Sequence, residues 1–569
     1  MTPIENIIAM SDIERIVAKN LGLSNIGELK TWAQDSLKDE TYWVNGIDQA
    51  ASIVLKHRDD KISIVGDYDA DGITATALLS IGLRALGITD IQTYIPKRIS
   101  DGYGLNARIV NEEIDGDLLI TVDNGIMAHE AIDLAKKKGM EVVVLDHHIS
   151  SADQPPAADV VVDPSAIENS ARFREYCGCG LAYKLIQELC NQEKFDAKPK
   201  LLAYIRPLVA IATIADVVPL RHENYILVKS GLQLLSKGIG PAGLVGLVRA
   251  VKGEESGEIT ETDVSFKIAP CINASGRIAD DGGTMILQLL TASAESATTL
   301  IEQAIENNRI RRLQTSAALE RAKAALEDRE QDHMMVVYLP GTNEGILGLI
   351  AAKICEGTNL PAVVLTDSAA QNGVLKGSAR SPEGFNIHEA LLSVSDLLLS
   401  FGGHAAAAGL SLELANLGAF MQRAKSITAT GIHSKTVVPD LVISEDQIAD
   451  TVLDLRKLAP YGEGNPEPLF KIKYDLVSRY GAFQQKLSGK TVKFFGESSE
   501  AIAFNCPDDI PEDLISAEFV GKLSVNTFRG KNVPQIEVWD IIPLKTGGAS
   551  DADASPFKGL IRDLKGTGA

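Results

Sequence analysis

Ile62-Ser63-Ile64-Val65-Gly66-Asp67-Tyr68-Asp69-Ala70-Asp71-Gly72 joins a short apolar run to three carboxylates within five residues. Ile62–Val65 has the composition of a buried strand. Asp67, Asp69 and Asp71 repel one another at its end, and a divalent cation is the simplest group that relieves them. Thr74 to Leu86 follows as an Ala- and Leu-rich helical stretch. The arrangement then recurs. Leu118–Val122 runs into Asp123-Asn124-Gly125, Ala128 to Lys138 reads as helix, and Val142–Leu145 runs into Asp146-His147-His148. A fourth apolar run, Leu208 to Ala215, delivers Asp216 in the same way. Strands alternating with helices predict an α/β unit whose parallel sheet is covered on both faces. In such sheets, sites form beyond the carboxyl ends of the strands.

Taken singly, an acidic turn with glycine is usually a loop, and a His-His pair usually a surface or supporting feature. Four apolar segments that each bring Asp or His to one edge point instead to a metal site. Carboxylate oxygens suit magnesium or manganese, and the added imidazole favours manganese. Two such ions a few ångströms apart hold a nucleophilic water and polarise a phosphoryl group. Asp69 and Asp71 are expected in an extended turn, with side chains on one side serving neighbouring ions. Asp123 is placed to bridge, and His147 to ligate through neutral imidazole. His148 stays free to touch the scissile phosphate, while Asp67 either ligates or orients the turn.

At 569 residues the chain exceeds a single hydrophobic core, so three or four domains are expected. Its hydrophobic fraction of 45% and charged fraction of 23% are those of a soluble globular protein. Met1 to Arg15 shows no signal peptide. Pro207 to Leu220, interrupted by Asp216, is too short to span a bilayer, so no membrane association is expected. The cysteines (Cys177, Cys179, Cys190, Cys271, Cys355, Cys506) are few and scattered, as reduced thiols of a cytoplasmic protein would be. The formal charge of −21 counts against nucleic-acid binding, although a cleft can carry a local positive field inside an acidic surface.

Farther along, Thr284 to Gln331 reads as helix throughout, a connecting or packing element. Met334–Leu339 opens a second α/β segment that continues through Pro361–Leu365 to about Gly409. From about Val437 to Leu544, short alternating runs such as Thr491–Phe495 and Gln535–Trp539 predict a small β-barrel of the OB type. The expected organisation is a catalytic domain with an N-terminal extension (1–230), then a core-closing segment with the long connecting helix (231–332). A second α/β domain (333–430), the barrel (431–545) and a flexible tail (546–569) follow.

The Asp67–Gly72, Asp123–Gly125 and Asp146–His148 motifs together resemble the DHH phosphoesterase superfamily. The resemblance narrows with Pro270-Cys271-Ile272-Asn273-Ala274-Ser275-Gly276-Arg277, which looks like the Arg-bearing motif closing the core of the RecJ family of single-strand-specific exonucleases. Gly377–Ser381 and Gly402-Gly403-His404 through Gly409 are similar to the DHH-associated domain. Leu458-Ala459-Pro460-Tyr461-Gly462-Glu463-Gly464-Asn465-Pro466 is similar to the entry of that family's oligonucleotide-binding domain. The resemblance implies Asp69, Asp71, Asp123, His147 and Asp216 around two Mn2+ or Mg2+ ions, with His148 by the phosphate. It also implies that Arg98, Asn273, Arg277, Ser378, Arg380, Gly403 and His404 hold phosphates near the DNA 5′ end, and that Tyr103 stacks on a base. Arg provides a planar donor fork, a Gly-rich turn bares its N–H groups, and an aromatic stacks on any base.

Two departures stand out: Asn343-Glu344 precedes Gly345 where the family usually has Trp-His, and Ser275 replaces a common Ala. The implied activity is a two-metal 5′→3′ exonuclease on single-stranded DNA that releases 5′-mononucleotides in repair and recombination. It would act as a cytoplasmic monomer, with a single-strand-binding protein as partner by resemblance alone. The rival expectations are a nanoRNase or (cyclic) dinucleotide phosphodiesterase of the same superfamily, or a non-catalytic replication scaffold. In the barrel, Phe494, Phe528, Arg529, Lys531 and Trp539 are candidate DNA contacts, although most aromatics there are expected in the core.

Overall fold

The computed structural model describes residues 11–546 except 36–41, 150–153, 166–172, 254–256, 328–332, 428–436, 480–481, 488–489, 505, 507–509, 512 and 529–530. The tail after 546 and Arg529 therefore lie outside the described residues, as do the side chains of Phe528 and Lys531. Three sheets organise the chain. In the first, β1 (Ile62–Val65), β2 (Ile91–Tyr94), β3 (Leu118–Val122), β4 (Glu141–Leu145) and β5 (Val160–Val162) are all parallel, in the order β2-β1-β3-β4-β5. Strands β1 and β3 are buried at every residue, as a sheet covered on both faces requires. The edge strands β2 and β5 escape the sequence reading. Ile91-Gln92-Thr93-Tyr94 is only half-buried and has no apolar run, and β5 has three residues.

The helices of this half are α1 (Asp12–Asn20), α2 (Glu28–Asp35), α3 (Ile47–Lys56), α4 (Ala70–Ala85), α5 (His129–Lys137), α6 (Gly178–Gln192), α7 (Lys198–Ala215), α8 (His222–Ser236) and α9 (Ala242–Lys252). The single turn α10 (Glu261–Asp263), α11 (Ala269–Ile278), α12 (Gly282–Thr291) and α13 (Ala294–Leu326) complete it. Helix α4 packs with α6 and α7 in one large core, and α5 covers the opposite face of the sheet. Because β2 and β3 lie on opposite sides of β1, the loops after β1 and β3 diverge and leave a crevice between them.

Two expectations fail here. Leu208–Ala215 is the last half of helix α7, and Asp216 is its C-terminal cap rather than a strand end. An apolar run buried on all sides has no period that separates helix from strand. Likewise, Thr284–Gln331 is not one helix. It breaks at Ala292-Ser293, where the Ser293 hydroxyl accepts the Ser296 N–H and caps α13.

The second sheet is mixed: β6 (Met335–Tyr338), β7 (Ala362–Asp367), β8 (Val374–Arg380), β9 (Ser400–Gly403) and β10 (Ala407–Glu413), ordered β6-β7-β8-β10-β9. Helix α14 (Leu347–Thr358) packs on β7 and β8. Helix α13 ties the two halves together. Its Ala297 and Ala304 belong to the first core, whereas Ala318 and Ala322 pack with Val337 and Ile350 of the second.

The third sheet contains β11 (Leu441–Ile443), β12 (Phe470–Asp475), β13 (Gln484–Lys486), β14 (Val492–Phe495), β15 (Glu500–Ala503), β16 (Leu514–Phe528) and β17 (Lys531–Thr546), ordered β11-β12-β16-β17-β15-β14-β13. Irregular register between β16 and β17 bends this long pair around a core of Phe470, Tyr474, Phe494 and Phe519. Phe494 is thus core and unavailable to DNA. The N-terminal helices share this core: Ile13, Val17 and Trp32 pack with the barrel and with Tyr225 of α8. No described helix is long and apolar enough to cross a membrane. All six cysteines are buried.

Candidate active site at the end of the parallel sheet

Asp69 caps helix α4: its Oδ1 accepts the N–H groups of Asp71 (3.0 Å) and Gly72 (3.2 Å). Asp71 therefore sits in the first helical turn and not in the extended turn expected of it. Both of its oxygens are engaged, Oδ2 by Gly178 N–H (2.6 Å) and Oδ1 by Cys179 N–H (2.8 Å), at the start of α6. Those N–H groups have no partner within their own helix, and an anion is favoured there. Position 178 requires glycine, since a Cβ would stand 2.5 Å from that of Asp123. Asn273 of α11 accepts the Ala70 N–H at 2.8 Å and so fixes the acidic loop.

Asp123 adopts a left-handed backbone (φ 61°), which in a non-glycine residue stores roughly 1–3 kcal/mol. Neighbouring Asn124 compensates by clamping the strand ends: its Nδ2 donates to the carbonyls of Val65 and Val122, and its Oδ1 accepts Leu105 N–H. His147 Nε2 lies 3.1 Å from Asp123 Oδ1, 3.6 Å from Asp216 Oδ2 and 3.7 Å from Asp71 Oδ2. Asp146 stands behind both histidines. It accepts the backbone N–H groups of Ile126, His147 and His148, and holds His148 Nδ1 at 2.8 Å. Burial alone would depress His148, but Asp146 outweighs it and lifts the imidazole to about 9. Burial depresses His147, which keeps it a neutral ligand candidate.

The donor set fits divalent cations. Three groups of side chains bring one ligand atom each within 4.8 Å of one another: Asp67, Asp69 and Asp123; Asp71, His147 and Asp216; and Asp123, His147 and His148. Asp123 is shared between two of the groups, and a carboxylate with two oxygens is able to bridge two ions; His147 also belongs to two, where neutral imidazole offers one donor nitrogen to a single ion. Burial, then Asp69, holds Asp67 well above the usual carboxylate range, and burial, then Asp71, does the same to Asp123. Asp216 is pushed up to about 8 by burial and by Asp71 and Asp69. Asp67 Oδ1 is buried with no hydrogen-bond partner. Such a cluster is poorly satisfied by protein alone, which is the signature of a missing positive charge.

Beside the acids stands a group of arginines. Arg98 lies over the Tyr68 ring (4.1 Å), and its loop is tied to the end of α11 by Ile99 N–H donating to Asp280. Arg277 donates to the Gly345 carbonyl (3.1 Å), bridging the first and second domains. Burial, then Arg98 and Arg311, presses Arg277 down to about 10, with Arg380 adding to the effect. Arg380 donates to Ser378 Oγ (3.1 Å) on β8. The register Ala407↔Arg380 sets the exposed turn with Gly403 and His404 next to it. Among the described residues none of these four arginines has a carboxylate partner. Tyr103, 53% exposed, has its phenol 3.3 Å from both the Asp123 carbonyl and the His148 ring.

Asp146, the Gly178 and Cys179 N–H groups and Arg311 carry no role in the sequence reading. Asp146 stands inside a recognised motif and the glycines flanking Cys179 were a usable sign of a tight approach. Arg311 lies in the basic stretch Arg309–Arg312 of a helix that reads as a connector.

The chain matches the family models described as DHH family, N-terminal domain (61–213), DHHA1 domain (331–430) and RecJ OB domain (439–540). It is 32% identical over 545 residues to the single-stranded-DNA-specific exonuclease RecJ of Salmonella typhimurium, covering 90% of this chain and 92% of that one. The chain belongs to the RecJ family. The Thermus thermophilus member of the same name is 32% identical over 90% of this chain and 73% of its own. The crystal structure of RecJ from that organism in complex with Mn2+ superimposes with a TM-score of 0.75 at 28% identity, over 96% of this chain and 79% of that one. Its Mg2+ complex gives 0.70 at 26%, over 93% and 76%. At Asn343-Glu344, Asn343 Oδ1 accepts the Gly345 N–H (2.8 Å), and Glu344 accepts the Ala369 N–H (2.6 Å).

Proposed function

We propose that the chain hydrolyses single-stranded DNA from its 5′ end, releasing 5′-mononucleotides, in DNA repair and recombination. It is a metal-dependent exonuclease. The observation that supports this reading is the juxtaposition of the acid–histidine cluster with Arg98, Arg277, Arg311 and Arg380, which have no carboxylate partner among the described residues. The acids prefer cations, the guanidiniums prefer phosphate oxygens, and a strand whose terminal phosphate sits among the arginines presents its first phosphodiester to the acids.

Asp67, Asp69, Asp71, Asp123, His147 and Asp216 would hold two ions, Mn2+ or Mg2+. Bound there, the ions supply Lewis acidity to the scissile phosphate and to the attacking water. Asp71 is aimed by the α6 N–H groups, and Asp123 by its strained backbone. His148, fixed by Asp146, offers an N–H to a phosphate oxygen. Tyr103 stacks on a base regardless of its identity. Arg98, Arg277, Arg311, Ser378, Arg380, Gly403 and His404 grip the 5′-terminal phosphates across the seam between the first two domains, and the barrel binds the strand beyond. Asn273 serves this grip indirectly, by fixing the loop of Asp69.

Turnover of a long 5′-phosphorylated single strand, the matching duplex and a dinucleotide tests the reading. Efficient cleavage of the single strand alone is expected. Turnover confined to the dinucleotide would overturn it.

A further inference from the structure

Asp216 differs from the rest of the cluster in how it is held. Asp67, Asp69, Asp71, Asp123 and His147 all stand on the ends of β1, β3 and β4 or on the first turn of α4. Asp216 instead ends α7 and opens a loop that leads to α8. That loop is strained where it leaves Asp216: Val217, a β-branched residue 64% exposed, has φ 59°, and His222 at the start of α8 is also left-handed, at φ 47°.

The loop is buttressed from outside its own domain, by the barrel's entry turn. Leu220 N–H donates to the Glu463 carbonyl (2.7 Å), and Arg221 Nε donates to the Gly464 carbonyl (3.0 Å). Along the same seam Tyr225 OH donates to Leu458 O (2.9 Å), Lys229 Nζ to Lys457 O (2.7 Å), and Tyr461 N–H to Glu261 Oε1 (3.2 Å). The fit leaves no slack. Gly464 is at φ 71°, and a Cβ there would lie 3.0 Å from both Pro219 Cβ and Arg221 Nε. A Cβ on Gly462 would lie 2.9 Å from Leu220 Cδ1.

We propose that the turn Gly462-Glu463-Gly464, with Arg221, is a positioning element of the active site: it holds the 217–221 loop so that Asp216 stays beside His147 and Asp71. The barrel then does more than bind the strand, because its seating sets how tightly the ion next to Asp216 is held. The inference rests on the reading that Asp216 helps to hold an ion.

The test is Mn2+ titration of the full-length protein without DNA, followed by free-ion electron paramagnetic resonance, for four variants. Asp216→Ala reports what loss of the ligand does. Gly464→Ala forces a methyl into the seam, Arg221→Ala removes only the side-chain bond, and Lys471→Ala removes a barrel bond, to Glu518, in which the turn takes no part. Gly464→Ala and Arg221→Ala are expected to weaken one of two Mn2+ sites by about 10-fold, as loss of an indirect support typically does. Their kcat should fall at low Mn2+ and recover in excess Mn2+ with KM for the single strand unchanged, and Lys471→Ala should bind Mn2+ as wild type does. If Gly464→Ala does not fold, Arg221→Ala alone decides. Wild-type Mn2+ binding in the seam variants, with a site lost in Asp216→Ala, would overturn the coupling alone. Unchanged binding in Asp216→Ala would overturn the ligand assignment and the coupling with it.

Discussion

Asp123 combines three costs that no single side chain would carry without a use: a left-handed backbone, near-complete burial, and the charges of Asp71, Asp69 and Asp67 around it. Replacing it with Asn removes a charge that the metal-free protein tolerates poorly. Metal-free Asp123→Asn is therefore expected to melt above metal-free wild type in a thermal scan. It should lose most of the stabilisation that Mn2+ gives wild type and fall more than about 100-fold in kcat. At the arginine group, Arg311→Ala should raise KM for a 5′-phosphorylated strand about 10-fold, the worth of one charge-assisted bond. It should also flatten the salt dependence of binding by about 0.7 in log–log slope, as one lost single-strand phosphate contact predicts. A wild-type salt slope would remove Arg311 from the phosphate grip. The clustered acids and histidines were legible because they are neighbours in the chain. Arg311 was not, because only the packing of α13 against α11 brings it near Arg277.

Elements position the site through their ends. Helix α4 begins at Asp69, α6 begins against Asp71, α7 stops at Asp216, and α11 braces the loop through Asn273. Gly178→Ala tests this arrangement, since its methyl must displace Asp123 or the start of α6. Overpacking of this kind costs roughly 1–3 kcal/mol. The expected result is a lowered melting temperature together with weakened Mn2+ binding; a lowered melting temperature with normal Mn2+ affinity would mean the two helix starts are not coupled. At this scale the sequence was a good guide to β1, β3 and β4, whose apolar runs end in acids. It misread α7, because a helix buried on every side shows the same unbroken apolar run as a buried strand. It missed β2 because a half-buried edge strand can be built from Gln and Thr.

Across the whole molecule, two long-range ties join units that the linear order separates. Helix α13 has its start in one core and its end in the next, and Arg98, Arg311 and Arg380 all come close enough to Arg277 to act on its charge. The N-terminal helices and α8 pack with the barrel, a pairing hidden from the sequence because of its length: Asn20, at the end of α1, donates to the carbonyl of Pro466, 446 residues on. A chain ended at residue 427 should therefore expose Ile13, Val17, Trp32 and Tyr225 and self-associate in light scattering. A chain spanning 42–427 should do so less, since burying one such large apolar side chain is worth about 1.5–3 kcal/mol. Equal self-association of the two would show that the N-terminal helices do not depend on the barrel.

In the proposed function, the direction of cleavage follows from the arginines holding the 5′-terminal phosphate. A long single strand carrying distinct labels at its two ends, digested with Mn2+ and sampled before completion, reads it out. The 5′ label is expected to appear first, as a mononucleotide, with the 3′ label retained on progressively shorter strands; early release of the 3′ label, or a 5′ label released only on longer fragments, would contradict it.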